Sequence, residues 1–179
     1  METKCWIYEV RMNDGFGWGD FVITEEGIVA AYTDYENAVF CWGYHGEKGI
    51  REFLVGAIND CGNDYLLGKF FSERYYEFDA DTTLQRILNY ILTERKEGYF
   101  DKQRTRKEYD LAREYLDGGG QYDFNDWCRE TGIEDGYEYC VKRYCAGVRM
   151  FGKELLPLLR EKIREELEKE NETLSSNCS

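Results

Sequence analysis

The apolar residues of this chain change their spacing once, between residues 43 and 49, from every second position to every third or fourth. That single switch constrains the fold more than any other feature, because a period of two belongs to a half-buried strand and a period near 3.6 to a helix. In the first stretch Trp6, Tyr8 and Val10 alternate with Ile7, Glu9 and Arg11. Asn13-Asp14-Gly15 then reads as a hairpin turn, since Gly accepts positive φ and Asn or Asp tolerates it. Residues 18–24 return, Glu25-Glu26-Gly27 turns again, 28–32 run back, and 33–37 lead into 38–42. The expected product is an antiparallel β-meander of about four strands.

From Gly49 onward the pattern is helical. Ile50, Phe53, Leu54, Ala57 and Ile58 sit on one helical face, and Tyr65, Leu66, Lys69 and Phe70 predict a further short helix. Asp81 or Thr82 is placed to cap the next, whose stripe is Leu84, Ile87, Leu88, Ile91 and Leu92 and which Gly98 ends. A helix over 102–116 turns Tyr109, Ala112, Tyr115 and Leu116 inward before Gly118-Gly119-Gly120, a hinge or a sharp corner. Asp123 is expected to cap a helix through Trp127 and Cys128 that Gly132 stops, and 137–145 is expected to be another. Leu155, Leu156, Leu159, Ile163 and Leu167 mark the last, with Pro157 in its first turn or at a kink. Strands first and helices after, without βαβ alternation, define an α+β fold with the helices packed on the sheet. The expected organisation is one domain over 1–179: meander 1–48, helical part 49–172, and a frayed tail 173–179.

With 42% apolar and 16% aromatic residues in 179, the chain can bury a core large enough to fold alone. No run of 18 apolar residues occurs, and Met1 to Cys5 lack the basic start and apolar stretch of a secretion signal, so the cytoplasm is the expected location and no membrane is expected as a partner. Seven cysteines (Cys5, Cys41, Cys61, Cys128, Cys140, Cys145 and Cys178) form an odd set without a CxxC pair, expected to be reduced and to hold no metal.

The formal charge of −13 is unevenly spread. Residues 1–82 carry 6 basic and 16 acidic side chains, whereas 83–116 carry 8 and 6. Carboxylates on alternating strands must face solvent, because burying one unpaired costs several kcal/mol or more. Asp14, Asp20, Glu25, Glu26, Asp34, Glu36 and Glu47 are therefore expected on one negative surface. Such a field repels DNA and RNA and attracts a basic protein, although an acidic surface also simply keeps a protein soluble. Fifteen Tyr and four Trp add amphipathic aromatic area of the kind enriched at interface hot spots, and Trp18, Tyr35 and Tyr44 are the expected anchors. The one basic island, Arg95, Lys96, Lys102, Arg104, Arg106 and Lys107, has Glu94, Glu97, Asp101, Glu108 and Asp110 around it and reads as a solvated helix face.

Signals for catalysis are sparse. His45 is the only histidine, in a glycine-flanked loop four residues after Cys41, and residues so spaced across a strand end do not meet as they would on a helix. The chain has no GxSxG, P-loop or HExxH, and Gly15, Gly17 and Gly19 join two strands without opening a helix. No enzyme activity and no cofactor is expected. One alternative is a metal-dependent hydrolase or nuclease using Asp34 with Glu36, or Asp20 with Glu25, against which the surrounding negative charge works. Another is a non-catalytic module that self-associates through the helix from Leu155 to Leu167.

The series Asp14-Gly-Phe-Gly-Trp-Gly-Asp20, Asp34-Tyr-Glu-Asn37, Trp42-Gly43, Arg51-Glu-Phe-Leu54 and Asp64-Tyr-Leu-Leu-Gly-Lys69 resembles motifs of small proteins of phages and mobile elements, over about one third of the chain. In size and charge the protein resembles the anti-CRISPR inhibitors, especially those directed at Cas9. That resemblance implies a non-catalytic inhibitor that binds a Cas9-type nuclease, or its guide RNA complex, and blocks DNA binding or cleavage. Cas9 is cationic where it holds heteroduplex and reads its PAM with arginines. An acidic protein is suited to occupying such a groove.

Overall fold

The computed structural model describes residues 3–13, 15–60 and 63–177. The fold is α+β: four antiparallel strands, β1 (Cys5–Arg11), β2 (Trp18–Thr24), β3 (Ile28–Thr33) and β4 (Ala38–Cys41), in the order β1-β2-β3-β4, followed by helices. The registers Tyr8↔Phe21↔Ala31↔Ala38 and Ile23↔Val29↔Phe40 bring the inward residues of each strand into rows across the sheet. The β2–β3 turn needs Gly27, whose φ is 95° and which has no room for a Cβ against the Trp42 carbonyl.

Residue contacts divide the chain into two compact units, 1–75 with 144–179, and 76–143. In the first, helices α1 (Ile50–Ala57), α2 (Asp64–Phe70), α6 (Ala146–Met150) and α7 (Leu156–Asn177) surround one core. Phe21, Ile23, Val29, Leu54, Leu66, Phe151, Leu155, Leu159 and Ile163 are all buried in it. The apolar stripe that begins α7 is thus core, covered by the sheet and α1, and is not available to a second chain. Gly19 permits the close approach, because a Cβ there would lie 3.3 Å from Leu155 Cδ1 and 2.9 Å from the Phe21 ring. Residues Phe151–Leu155 form a π turn immediately before Pro157. Proline lacks the N–H that would bond four residues back, and the wider turn absorbs that loss. The helix then continues to Asn177, through most of the segment expected to fray.

The second unit contains β5 (Tyr76–Phe78), α3 (Ala80–Glu97), α4 (Lys102–Leu116), α5 (Gln121–Glu130) and the start of β6 (Lys142–Tyr144), which pairs with β5. Ile87, Ile91, Phe100, Ala112, Leu116, Phe124, Trp127 and Ile133 are its core. Three local expectations are corrected here. The cap of α3 is Asp79, whose carboxylate accepts the Thr82 N–H at 3.2 Å, instead of Asp81 or Thr82. Asp123 lies inside α5 and reaches back to accept the Gly120 N–H at 2.7 Å. The helix expected over 137–145 is a short 3-10 turn, Gly136–Tyr139, followed by strand β6. Pairing of β6 with a segment more than sixty residues earlier outweighs its local preference, and Val141 fixes that join by donating to Thr83 Oγ1 and accepting from the Asp79 N–H. The glycine triplet lies in the short connection between α4 and α5. No helix among the described residues is long and apolar enough to cross a membrane.

Candidate functional site

The expected binding residues fall at opposite ends of the amino-terminal sheet. At one end the β2–β3 turn carries Glu25 and Glu26, both exposed, and the loop after β4 carries Tyr44, 82% exposed, and Glu47. Turn and loop are held together by the bond from Trp42 N–H to the Gly27 carbonyl at 2.9 Å. Between them lies an open depression of about 340 Å³, lined among others by Trp6, Glu25, His45 and Glu47. The Thr3 hydroxyl donates to Glu26 at 2.6 Å and, with the turn's own backbone, holds that carboxyl below the ordinary glutamate range. Lys4, Lys48 and Arg51 also line the depression, so its charge is mixed instead of uniformly negative.

At the other end Asp34 accepts the Trp18 N–H at 3.0 Å and returns its own N–H to the Trp18 carbonyl, closing the end of the β2–β3 ladder. The Thr33 hydroxyl accepts from the N–H groups of Tyr35 and Glu36, which builds the turn that presents those two side chains. Both are half-buried: the Tyr35 hydroxyl lies 3.4 Å from Met12 Sδ, and Glu36 packs on Gly147 with the Cys145 thiol 3.9 Å from its carboxylate. Asp20 belongs to neither end. It stands in the middle of the sheet's outer face and pairs with Arg11 at 2.8 Å. Asp14 lies outside the described residues. The two ends are separated by the length of a seven-residue strand, about 20 Å, so the carboxylates do not form one continuous negative track.

Two features went unread in the sequence. Arg51, 6% exposed, lies over the Trp6 ring at 4.4 Å and bonds Glu170 through both terminal nitrogens, with Glu166 3.4 Å away. Tyr8 donates to Glu166, and burial followed by that hydrogen bond raises the phenol above its ordinary pKa. The second feature is the outer face itself, where Ile7, Val22, Ala30 and Val39 form a continuous row across all four strands. Strand parity already separates these residues from the core set, and register alone lines them up.

In the basic island, Arg104 covers the Phe100 ring at 4.0 Å and donates to the Gly132 carbonyl, Arg95 donates to the Phe100 carbonyl, and Arg106 pairs with Asp110. Those arginines brace their own unit. Among the described residues no group of three or more His, Cys, Asp or Glu side chains is placed to hold a metal ion. Of the pairs weighed for a hydrolase, Asp20 lies within β2 and Glu25 in the turn that follows it, while the Asp34 carboxylate is engaged with the Trp18 backbone.

A phage family model, Phage_phiTE_072, matches residues 1–165. The chain belongs to this phage family. The match spans the sheet, the second unit and the first ten residues of α7, so it covers far more than a local motif. No curated protein and no solved structure matches the chain.

Proposed function

We propose that this phage protein acts without catalysis, by stoichiometric association in the host cytoplasm with a host enzyme whose own groove is built for nucleic acid. A Cas9-type nuclease or its guide RNA complex is the partner to which the likeness in size and charge points, and blocked DNA binding or cleavage is the outcome. The observation that carries this reading is the loop end where exposed Glu25, Glu26 and Glu47 stand beside exposed Tyr44. Rim carboxylates of this kind steer association with a cationic surface, and an exposed tyrosine supplies buried area at small entropic cost. Trp18, Asp34, Tyr35 and Glu36 at the other end form a second contact region within reach of the same large partner.

The test titrates the full chain into a guide-loaded Cas9-type nuclease with its DNA substrate. Inhibition should saturate at about one inhibitor per nuclease and weaken as salt rises, because exposed charges are screened. Joint reversal at Glu25, Glu26 and Glu47 to lysine should slow association by about tenfold or more while leaving the fold intact. Turnover at far below equimolar inhibitor overturns the non-catalytic reading. Undiminished inhibition by the charge-reversed chain overturns the placement of the surface.

A further inference from the structure

We propose that the open face of the amino-terminal sheet is an interface for a second copy of this chain. The face is unusual for so acidic a protein. An antiparallel sheet with one solvated side ordinarily alternates apolar inward and polar outward, yet here the outward row is Ile7, Val22, Ala30 and Val39, with Ile7 67% and Val39 64% exposed. The next row is Cys5, Thr24, Ile28 and Cys41, and Trp18 packs edge-on against Tyr32 in the rows on the other side. β-branched residues favour strands wherever they point, so composition alone would be satisfied by a solvated sheet. A contiguous apolar row reaching both edge strands is a patch, and patches of this kind mark association sites.

Charge decides between a basic partner and a second copy at this face. Its carboxylates, Glu9 and Asp20, flank Arg11, at 3.9 Å and 2.8 Å. The one guanidinium offsets one of the two carboxylates, so a single formal negative charge per copy is left on this face, too little to recruit a strongly cationic surface. The alternative route to self-association, the stripe from Leu155 to Leu167, packs into the core, buried through Ile163 and partly buried at Leu167.

Shape supports the same occupant. A two-fold axis parallel to the strands lays β1 over β4 of the second copy and β2 over β3, in the aligned packing of a β-sandwich. Ile7 then meets Val39, Val22 meets the small Ala30, and the Tyr32 hydroxyl stands over Asp20. Strands about 4.8 Å apart, of seven, seven, six and four residues, give a flat footprint of about 380 Å² before side-chain relief is counted. A specific pair contributes about 600–800 Å² of accessible surface per partner, so the dimer is at the weak, concentration-dependent end.

The same geometry places Cys5 of each copy opposite Cys41 of the other. Within one chain these thiols lie on the two outer strands, three strand spacings or about 14 Å apart. A bismaleimide spanning well under that distance joins them only between chains. Sedimentation of the full chain up to about 100 µM should show a reversible dimer that strengthens with salt, since two chains of −13 repel at long range. That sign is opposite to the one expected for a basic host partner, so the two readings fail separately. Cross-linking should give a product of twice the 21.2 kDa chain mass containing a Cys5–Cys41 link. Ile7→Glu with Val39→Glu should weaken the dimer by more than about a hundredfold with unchanged circular dichroism, because it buries unpaired charge in both copies. A chain that stays monomeric overturns the proposal. So does a dimer that yields no Cys5–Cys41 product, or one that survives the double substitution in a folded variant.

Discussion

Arg51 in the first unit and Glu108 in the second are both buried charged residues, and the two are held in opposite ways. In the first unit Arg51 is satisfied from more than a hundred residues away, by Glu166 and Glu170 on α7. In the second, Glu108, 2% exposed, is satisfied within twenty-five residues: it accepts the Thr131 hydroxyl at 2.7 Å and the Gly132 N–H at 3.2 Å. One is a latch that ties the carboxy-terminal helix to α1, and the other is a clamp on the single loop after α5. The buried charge that closes the longer loop should carry more of its unit's stability.

Arg51→Met tests that contrast most severely. It leaves Tyr8, Glu166 and Glu170 without their cation and should cost about 3 kcal/mol in urea unfolding followed by signals from the first unit. Arg51→Lys should recover only part, because an ammonium lacks the planar fork. Glu108→Ala should cost about 2 kcal/mol, the penalty of leaving a buried hydroxyl and N–H unpaired, with faster amide exchange confined to residues near 131–133. A larger loss for Glu108→Ala than for Arg51→Met would reverse the comparison.

Asp79→Ala should cost about 1 kcal/mol by uncapping α3, and somewhat more if the ion pair from Asp79 to Arg143, at 3.3 Å, contributes. The smallest effect expected is on pH. The hydrogen bond from Arg51 holds Glu170 below the ordinary carboxylate range. Its contribution is therefore present above the unfolded value of about 4.3 and lost as pH falls below that through the folded value. Acid titration of the parent against Glu170→Gln should show that limb only in the parent.

Legibility followed the range of the interactions. The four strands, the 102–116 helix and the Gly98 stop were readable because turn chemistry and local periodicity specify them. The strand at Lys142–Tyr144 was misread as helix because its preference is set by β5, and the cap of α3 was misplaced because Asp79 was one of several acids near the helix start. Among the candidate site residues, exposure of Glu25, Glu26, Tyr44 and Glu47 was foreseeable from turn and loop positions. The pairing of Asp20 with Arg11 was not, since it joins two strands through a register that only the assembled sheet defines.

By itself the sequence determined the α+β class, the meander, the negative balance of the amino-terminal half and the inward and outward parity of each strand, all of them consequences of residue type and spacing along the chain. Only the tertiary structure decided that the acids divide between two ends of the sheet, that the stripe of α7 is core, and that four outward residues from four strands align into one apolar row. Those properties depend on which distant segments meet, and chain spacing carries no information about contacts that close over a hundred residues.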